Sequence, residues 1–360
     1  MSLNLSPVNS CRLSGCTLTG ALSVTTHIRD AVTVIHGPAG CTHHNFSLLH
    51  ATSLTNDRLA IAPMVSTGLS DTDIIFGGEE TLARTLATVI SRKPGAVFVL
   101  STCVVETIGD DIGTVCSVAG EKSGIPVVVI PTAGFLGGSF QDGVNNALVA
   151  VAGMAECSVN GPGAVSSSSR SGMLVNIIGE KNLEYEVEEN YAEVMRLLGM
   201  LGLAVNVRFV HDMDVARIGV LGAAQLNVLR DPTLEPVGVF LKERFGIPFI
   251  PSFPFGMGGS VAFLKEIAAA CGIESDAAVD EERELQAGML EGFSDLHGAR
   301  VYFRRNLLDA DGSRAAQEIA DALRLDLTPE GSPVPIPVTP PVGAGGVRRL
   351  LHRWRRAIHA

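Results

Sequence analysis

The stretch of sequence that decides the fold lies at residues 96–113 and reads AVFVLSTCVVETIGDDIG. Its first five residues, Ala96–Leu100, form an unbroken apolar run, which is typical of a strand buried on both faces of a parallel sheet. A loop containing Cys103 follows, and a Gly-Asp-Asp sequence then opens a helical segment. The order of strand, loop and helix predicts a βα unit.

Apolar, β-branched runs of the same kind recur on both sides of this unit. They predict strands at Ala31–Ile35, Pro126–Ile130, Met173–Ile178, Ala204–Val210 and Gln225–Leu229. Helical segments alternate with them, for example at Glu184–Leu201 and Val237–Phe245. This alternation predicts an α/β protein built from doubly wound, mainly parallel sheets, that is, tandem Rossmann-like domains.

Composition shifts divide the chain. Residues 160–172 (NGPGAVSSSSRSG) are rich in Gly and Ser, which is typical of a linker. We therefore predict an N-terminal α/β domain at 1–159, a second Rossmann-like domain at 173–276 and a shortened third domain at 277–360.

The third domain should contain a strand at Arg300–Phe303 and a helix near Ala315–Leu323, followed by a passage too rich in proline for a central strand. The basic tail Val347–His359 places Leu350, Leu351, Trp354 and Ile358 at helical spacing. It predicts an amphipathic helix that docks on its own body, with docking on a partner as the alternative.

Charge and hydropathy exclude several classes of protein. The chain has 360 residues, a net charge of −11 and 46% hydrophobic residues. It lacks the basic excess of nucleic-acid binders, and no apolar run reaches the roughly 18 residues of a membrane span. Without a secretory leader pattern at its start, it is expected to be cytoplasmic. Its seven cysteines, odd in number and irregularly spaced, favour reduced thiols over a disulfide framework.

Three cysteines lie beside glycines or after predicted strands, namely Cys16 in SGCTLTG, Cys41 in HGPAGC and Cys103 in STCVVETIGDDIG. The carboxyl ends of parallel strands open the crevice in which α/β sheets bind ligands. A loop leading into a helix N-terminus should also lower the pKa of a thiol. The three are candidates for a shared metal site, and the spacing alone leaves that assignment open.

Different roles are predicted for the other four cysteines. Cys116 and Cys271 each continue an apolar helical stripe and are expected in the core, and Cys157 should be structural. Cys11, five residues before Cys16, is a candidate spare ligand.

Histidines and carboxylates give weaker signals. His36, His43, His44 and His50 surround Cys41 and invite a zinc or haem interpretation, although His36 precedes a Gly-Pro turn, where imidazoles often bond backbone groups. Asp110 and Asp111 open a helix and are expected to cap it. Glu106, Asp110 and Glu180 are candidate proton donors, with solvated or capping roles favoured for each.

Several motifs are absent from the sequence. It contains no C-x-x-C, no P-loop, no G-x-G-x-x-G, no H-E-x-x-H and no G-x-S-x-G. Ordinary ferredoxin and zinc-ribbon sites, ATP hydrolysis and conventional NAD binding are therefore not expected.

Together the three cysteine motifs resemble the nitrogenase component 1 superfamily, which contains nitrogenase α and β subunits, cofactor-assembly scaffolds and dark-operative tetrapyrrole reductases. HGPAGC and STCVVETIGDDIG are the specific matches. The resemblance runs from about Asn9 to Gly272 and includes AAQLNVLRD (223–231), FLKERFGIPFI (240–250) and PFGMGGSVAFLKEIA (254–268).

The resemblance implies that Cys16, Cys41 and Cys103 ligate an iron–sulfur cluster at a subunit interface. A second component 1-type subunit would complete the ligation, giving a [4Fe-4S] cluster, or an [8Fe-7S] cluster if that subunit also brings three cysteines. In a homo- or heterodimer, or a tetramer, the cluster would be reduced by a separate ATPase resembling the nitrogenase iron protein.

The sequence also departs from the family. Nitrogenase α subunits carry a cysteine that binds the catalytic metal cofactor after the phrase matching QLNVLR, and here that position is Asp231. The third domain is shortened as well, so reduction of nitrogen at such a cofactor is not expected. The implied function is that of an electron-accepting subunit of a two-component reductase. A tetrapyrrole is the candidate substrate. The alternatives are a non-catalytic scaffold for metallocofactor assembly and a structural homologue without a cluster.

Overall fold

The computed structural model describes residues 15–55, 63–155, 172–304, 310–337 and 339–359. The first sheet has strands β1 (Ala31–His36), β2 (Met64–Ser66), β3 (Ala96–Ser101) and β4 (Val127–Ile130) in the order β2-β1-β3-β4. Every pairing is parallel. β1 and β3 are buried along their whole length, as their unbroken apolar runs predict.

Within the described residues, seven helices accompany this sheet. Two of them, α1 and α7, pack against each other and against the sheet. The seven are α1 (Thr17–Thr25), α2 (Ala39–Thr55), α3 (Asp71–Phe76), α4 (Glu79–Ile90), α5 (Cys103–Ile108), α6 (Ile112–Ser123) and α7 (Phe140–Gly153).

The second sheet is also parallel, with the order β6-β5-β7-β8. Its strands are β5 (Leu174–Ile178), β6 (Ala204–Phe209), β7 (Leu226–Leu229) and β8 (Phe249–Ile250), and its helices are α8 (Val187–Met200), α9 (Glu235–Phe245) and α10 (Gly256–Cys271). The mixed α/β architecture with parallel sheets confirms the predicted fold class.

A third, smaller sheet has the order β10-β9-β11, formed by β9 (Arg300–Arg304), β10 (Asp326–Leu327) and β11 (Ser332–Pro335). The proline-rich β11 lies at an edge, where a missing N–H costs no ladder hydrogen bond. Around it lie α11 (Asp276–Glu291), α12 (Ala310–Ala322) and α13 (Gly343–His359). The exact domain boundaries stay a prediction, and the predicted linker falls almost entirely outside the described residues.

The basic C-terminal helix α13 docks on the chain's own body. Leu350, Leu351 and Trp354 are buried in the third core, and the Trp354 Nε1–H donates to the carbonyl oxygen of Pro335 at 2.9 Å. Arg349 and Arg353 pair with Glu186 of the second domain. The apolar stripe of the tail therefore packs against the chain's own third core. In the part of the chain that the structure describes, no helix is long and apolar enough to cross a membrane.

Helices α1 and α7 touch through their backbones at two glycines. A methyl group on Gly20 would overlap the carbonyl oxygen of Phe140, and one on Gly143 would overlap the carbonyl oxygen of Thr17. The two helices can approach this closely only because neither glycine carries a side chain. Their contact fixes the position of residue 16, which immediately precedes α1.

We expect Gly143→Ala to lower the free energy of unfolding by about 1–3 kcal/mol or more, since the added methyl group must push α1 and α7 apart. Gly153→Ala in the same helix is the matched control, because open space surrounds that position. It should be neutral or stabilise the protein by up to about 1 kcal/mol through helix propensity. Chemical denaturation of both variants checks the prediction, and equal effects would contradict it.

Candidate functional site: three cysteines at helix N-termini

Each of the three candidate cysteines lies at the N-terminus of a helix. Cys16 is the N-cap residue of α1, Cys41 is the third residue of α2, and Cys103 is the first residue of α5. The prediction placed all three in loops, and for Cys41 and Cys103 this was wrong by a few residues. Unpaired N–H groups and the helix dipole make such positions favourable for negative charge.

The chain brings these three helix ends together. The backbone N–H of Thr102, next to Cys103, donates to the carbonyl oxygen of His36 at 3.1 Å. Gly37, four residues before Cys41, lies so close to Thr102 that a methyl group there would overlap the threonine hydroxyl. The HGPAGC turn therefore packs directly on the residue before Cys103.

A glycine-rich turn at residues 134–138 connects Cys103 to the Cys16 side of the site. The N–H of Phe135 donates to Cys103 Sγ at 3.4 Å. Methyl groups on Gly134 and Gly138 would come within 2.9 and 2.6 Å of the Thr17 hydroxyl, next to Cys16. The turn thus contacts both cysteine positions and supplies a hydrogen-bond donor to sulfur.

The Cys41 thiol is affected by the other two cysteines. Burial and then the charges of Cys16 and Cys103 raise the pKa of Cys41. The expected lowering of a thiol pKa at a helix N-terminus is therefore wrong for Cys41, where desolvation of the thiolate outweighs the helix dipole.

The surroundings fit an anionic metal–sulfur group. Cys16 is exposed, and Cys41 and Cys103 are half-buried. A threonine adjoins each of them in sequence, and in the described structure the hydroxyls of Thr17, Thr42 and Thr102 are buried without a hydrogen-bond partner. Buried hydroxyls need acceptors, and sulfide or thiolate sulfur would supply them.

The described residues do not form a site for a single metal ion. Across the described ranges, no three His, Cys, Asp or Glu side chains come close enough together to hold one metal ion. His43, His44 and His50 are exposed on α2, whereas His36 is fully buried under the turn. The histidines therefore do not converge, and the zinc or haem interpretation gains no support from their placement.

His36 belongs to a buried hydrogen-bond network. Its Nε2 lies 3.0 Å from Asp110 Oδ2 and its Nδ1 lies 3.1 Å from the Thr67 hydroxyl, which also accepts from the Gly37 N–H. Burial lowers the pKa of His36, against the raising effect of Asp110. With a neutral ring, Nε2–H donates to the carboxylate and the Thr67 hydroxyl donates to Nδ1. The expected backbone partner of His36 was wrong, since both partners are side chains.

The two neighbouring aspartates have different roles. Asp111 accepts from the Thr114 N–H and caps α6, as predicted. Asp110 is buried instead, and it accepts from His36 and from the Gly78 N–H at 3.0 Å. It ties the start of α4 to the strand end that leads into HGPAGC.

Two of the remaining cysteines, Cys116 and Cys271, lie in the described residues and follow the prediction. Cys116 is buried in the core, and burial raises its pKa to about 12. Cys271 packs half-buried against the second core. Cys11 and Cys157 lie outside the described residues.

A cavity of about 630 Å³ lies beside the cysteine face, between the first and second sheets. Its walls come from α2, from the start of α7 and from the loop after β5, and Gly15 reaches its edge. The side chains that line it include His44, Leu48, Gln141, Lys181, Glu184 and Leu234. No cysteine is among the described residues that line it.

Ion pairs fill the polar end of this crevice. Buried Arg230 lies 3.5 Å from Glu180 and 3.0 Å from Glu184, and Arg208 binds the other oxygen of Glu180 at 2.8 Å. Glu180 is thus an ion-paired core residue, and its expected solvated or capping role was wrong. Its carboxylate is paired with two guanidinium groups, those of Arg208 and Arg230.

Asp231 is engaged in the same network. It lies 2.5 Å from Lys181 Nζ and accepts from the Thr233 N–H at 2.9 Å. Burial works against ionisation, but the Lys181 ammonium lowers the pKa of the Asp231 carboxyl. Because this carboxylate is already paired and hydrogen-bonded, the position does not fit a ligand of a metal–sulfur cofactor.

A model of the family described as "Nitrogenase component 1 type Oxidoreductase" matches residues 16–305. The chain belongs to this family. The matched range begins at Cys16 itself and extends past Gly272, where the resemblance in the sequence was expected to end.

The chain is about 30% identical to its relatives over the aligned residues. It is 32% identical over 263 residues to the nitrogenase iron-molybdenum cofactor biosynthesis protein NifE of Nostoc, covering 72% of this chain and 52% of that protein. It is 28% identical to NifE of Clostridium pasteurianum over 86% of this chain and 63% of that one. The chain therefore spans only about half to two-thirds of these relatives.

Solved structures agree on the fold. The structure titled "Nitrogenase Cp1 at pH 5" has a TM-score of 0.65 and 22% identity, and the match covers 89% of this chain and 66% of that chain. This likeness confirms the predicted α/β fold.

We expect Asp110→Asn to lower the free energy of unfolding by about 1–3 kcal/mol, because a neutral amide accepts weaker hydrogen bonds than a carboxylate and would place an NH2 group against the Gly78 N–H. Asp111→Asn is the matched control, since asparagine caps helices about as well as aspartate. It should change stability by less than about 0.5 kcal/mol. Denaturation curves of the two variants that coincide would contradict this assignment.

Proposed function

We propose that this chain is an iron–sulfur subunit of a nitrogenase-like complex that assembles or carries a metallocofactor. Its relatives are named as cofactor biosynthesis proteins, which favours this alternative over a catalytic subunit. The observation that carries the proposal is the convergence of Cys16, Cys41 and Cys103 at three helix N-termini. Such a site suits a cluster of [4Fe-4S] or [8Fe-7S] type, which several cysteine thiolates hold.

Three cysteines leave the ligation incomplete, since a four-iron cluster takes four ligands. Cys16 is exposed and Cys41 and Cys103 are half-buried, and Phe135, whose N–H donates to Cys103 Sγ, leaves a large apolar side chain exposed beside them. A second component 1-type subunit that covers this face would supply the remaining ligands and exclude water. Homo- and heterodimers both satisfy this requirement, and Cys11 is the candidate ligand within the chain.

The bound cluster would supply one-electron chemistry, and an ATPase resembling the nitrogenase iron protein would reduce it. The chain's own residues hold it in place. The three cysteines anchor it, the Phe135 N–H donates to the Cys103 thiolate, and Gly37, Gly134 and Gly138 allow the backbone to approach closely.

The second candidate function is catalytic reduction of an organic substrate, such as a tetrapyrrole. The cavity between the sheets favours it, because Gly15 at its edge adjoins Cys16. A crevice lined by ion pairs and apolar side chains suits an organic molecule better than a metal cofactor. In that case electrons would pass from the cluster to a substrate held beside it.

We predict that Cys16→Ser and Cys103→Ser will each lower the iron content of anaerobically purified protein and alter its paramagnetic resonance spectrum. Serine replaces a thiolate ligand with a weaker one for iron. Cys116→Ala is the control, because that thiol is buried away from the site, and it should keep the full iron content. A full iron complement in both serine variants would rule out the ligand assignment.

Turnover separates the two candidate functions. The protein is incubated with a nitrogenase-type iron protein, ATP and dithionite, with and without a tetrapyrrole. An assembly subunit should take up electrons stoichiometrically with its iron and then stop. Continued oxidation of dithionite that depends on the tetrapyrrole would instead establish the reductase.

A further inference from the structure

The hydroxyl of Thr19 forms a hydrogen bond with the sulfur of Cys16. The Oγ1 and Sγ atoms lie 3.6 Å apart, which is within reach for sulfur. Thr19 is 1% exposed, so its side chain is shielded from water and held against Cys16. We propose that Thr19 is a positioning residue that sets the reduction potential of the cluster through Cys16, an inference that rests on the proposed cluster site.

The local geometry is arranged around this contact. Cys16 is the N-cap of α1, and its side chain accepts no capping hydrogen bond from the helix backbone. Thr19 occupies the third helical position, the one whose side chain reaches back toward the N-cap. Gly15 has a φ of +84°, and a methyl group there would come within 2.9 Å of Thr19 Cβ. Glycine before Cys16 thus lets the threonine lie directly beneath the sulfur.

Ligation fixes the direction of the hydrogen bond. A free thiol and a hydroxyl can each donate to the other, whereas a ligating thiolate has no proton and can only accept. The Thr19 hydroxyl must then donate to Cys16 Sγ. The bond draws electron density from sulfur and stabilises the reduced cluster, which carries more negative charge, so it raises the reduction potential.

Cys103 receives a comparable bond from a different source. Its donor is the Phe135 N–H, which a side-chain substitution cannot remove. Thr19 is therefore the place where one side chain controls a hydrogen bond to a ligand sulfur. Its effect can be measured without any assumption about substrate.

The test is a redox titration of the anaerobically purified full-length protein, followed by paramagnetic resonance. Thr19→Val keeps the shape of the side chain and removes the donor, and Thr19→Ala removes it without β-branching. Both should shift the midpoint potential to more negative values. Thr19→Ser keeps the hydroxyl and should titrate at the wild-type potential.

Thr25→Val is the matched control. Thr25 is the last residue of the same helix, is fully buried, and has a hydroxyl without a partner among the described residues. It lies about 13 Å along the helix from Cys16. This substitution should leave the midpoint potential unchanged.

The inference is overturned if Thr19→Val and Thr19→Ala titrate at the wild-type potential, or if Thr25→Val shifts as they do. Loss of iron from both Thr19 variants would also contradict it, because the hydroxyl would then be needed to form the site rather than to tune it. A wild-type protein purified without iron would instead refute the proposed function itself. The two failures are therefore distinguishable.

Discussion

The arrangement of the first domain depends on the backbone contact between α1 and α7. Gly20 and Gly143 let the two helices approach until carbonyl oxygens of one meet Cα atoms of the other. This contact sets where α1 begins, and so where Cys16 lies. It also holds the turn at 134–138, which leads into α7, against Thr17 on one side and Cys103 on the other. Backbone geometry, rather than side-chain chemistry, therefore determines the spacing of these two sulfur atoms.

Electrostatics distinguish the two parts of the molecule that face each other across the cavity. On the cysteine side, three helix N-termini favour an anionic group, and the Phe135 N–H and the Thr19 hydroxyl lie within hydrogen-bond distance of cysteine sulfur. On the opposite side, Glu180, Glu184 and Asp231 are matched by Arg208, Arg230 and Lys181. The cysteine side therefore favours an anionic group, whereas the charged side chains on the opposite side are already paired with one another.

The sequence predicted the features that are local in the chain. Fully buried strands such as β1 and β3 are continuous apolar runs, and Asp111 caps a helix that starts next to it. The short edge strands β2, β8 and β10 have two or three residues and carry no such run, so they were missed. The His36–Asp110 and Lys181–Asp231 pairs join residues 74 and 50 positions apart, and nothing in the local sequence indicates which carboxylate a distant side chain will meet. The three cysteines are an intermediate case. The motif resemblance identified them in the sequence, and only the fold shows that they lie at three neighbouring helix N-termini.

The contact between α1 and α7 has a consequence for how the protein matures. Cys16 and Cys103 reach their final spacing only after the chain has been synthesised as far as α7, because that helix and the turn before it hold them together. Parallel sheets with such distant contacts form slowly compared with local structure. During synthesis the three thiols therefore stay apart until α7 has been made, and the candidate site is complete only once that helix packs on α1.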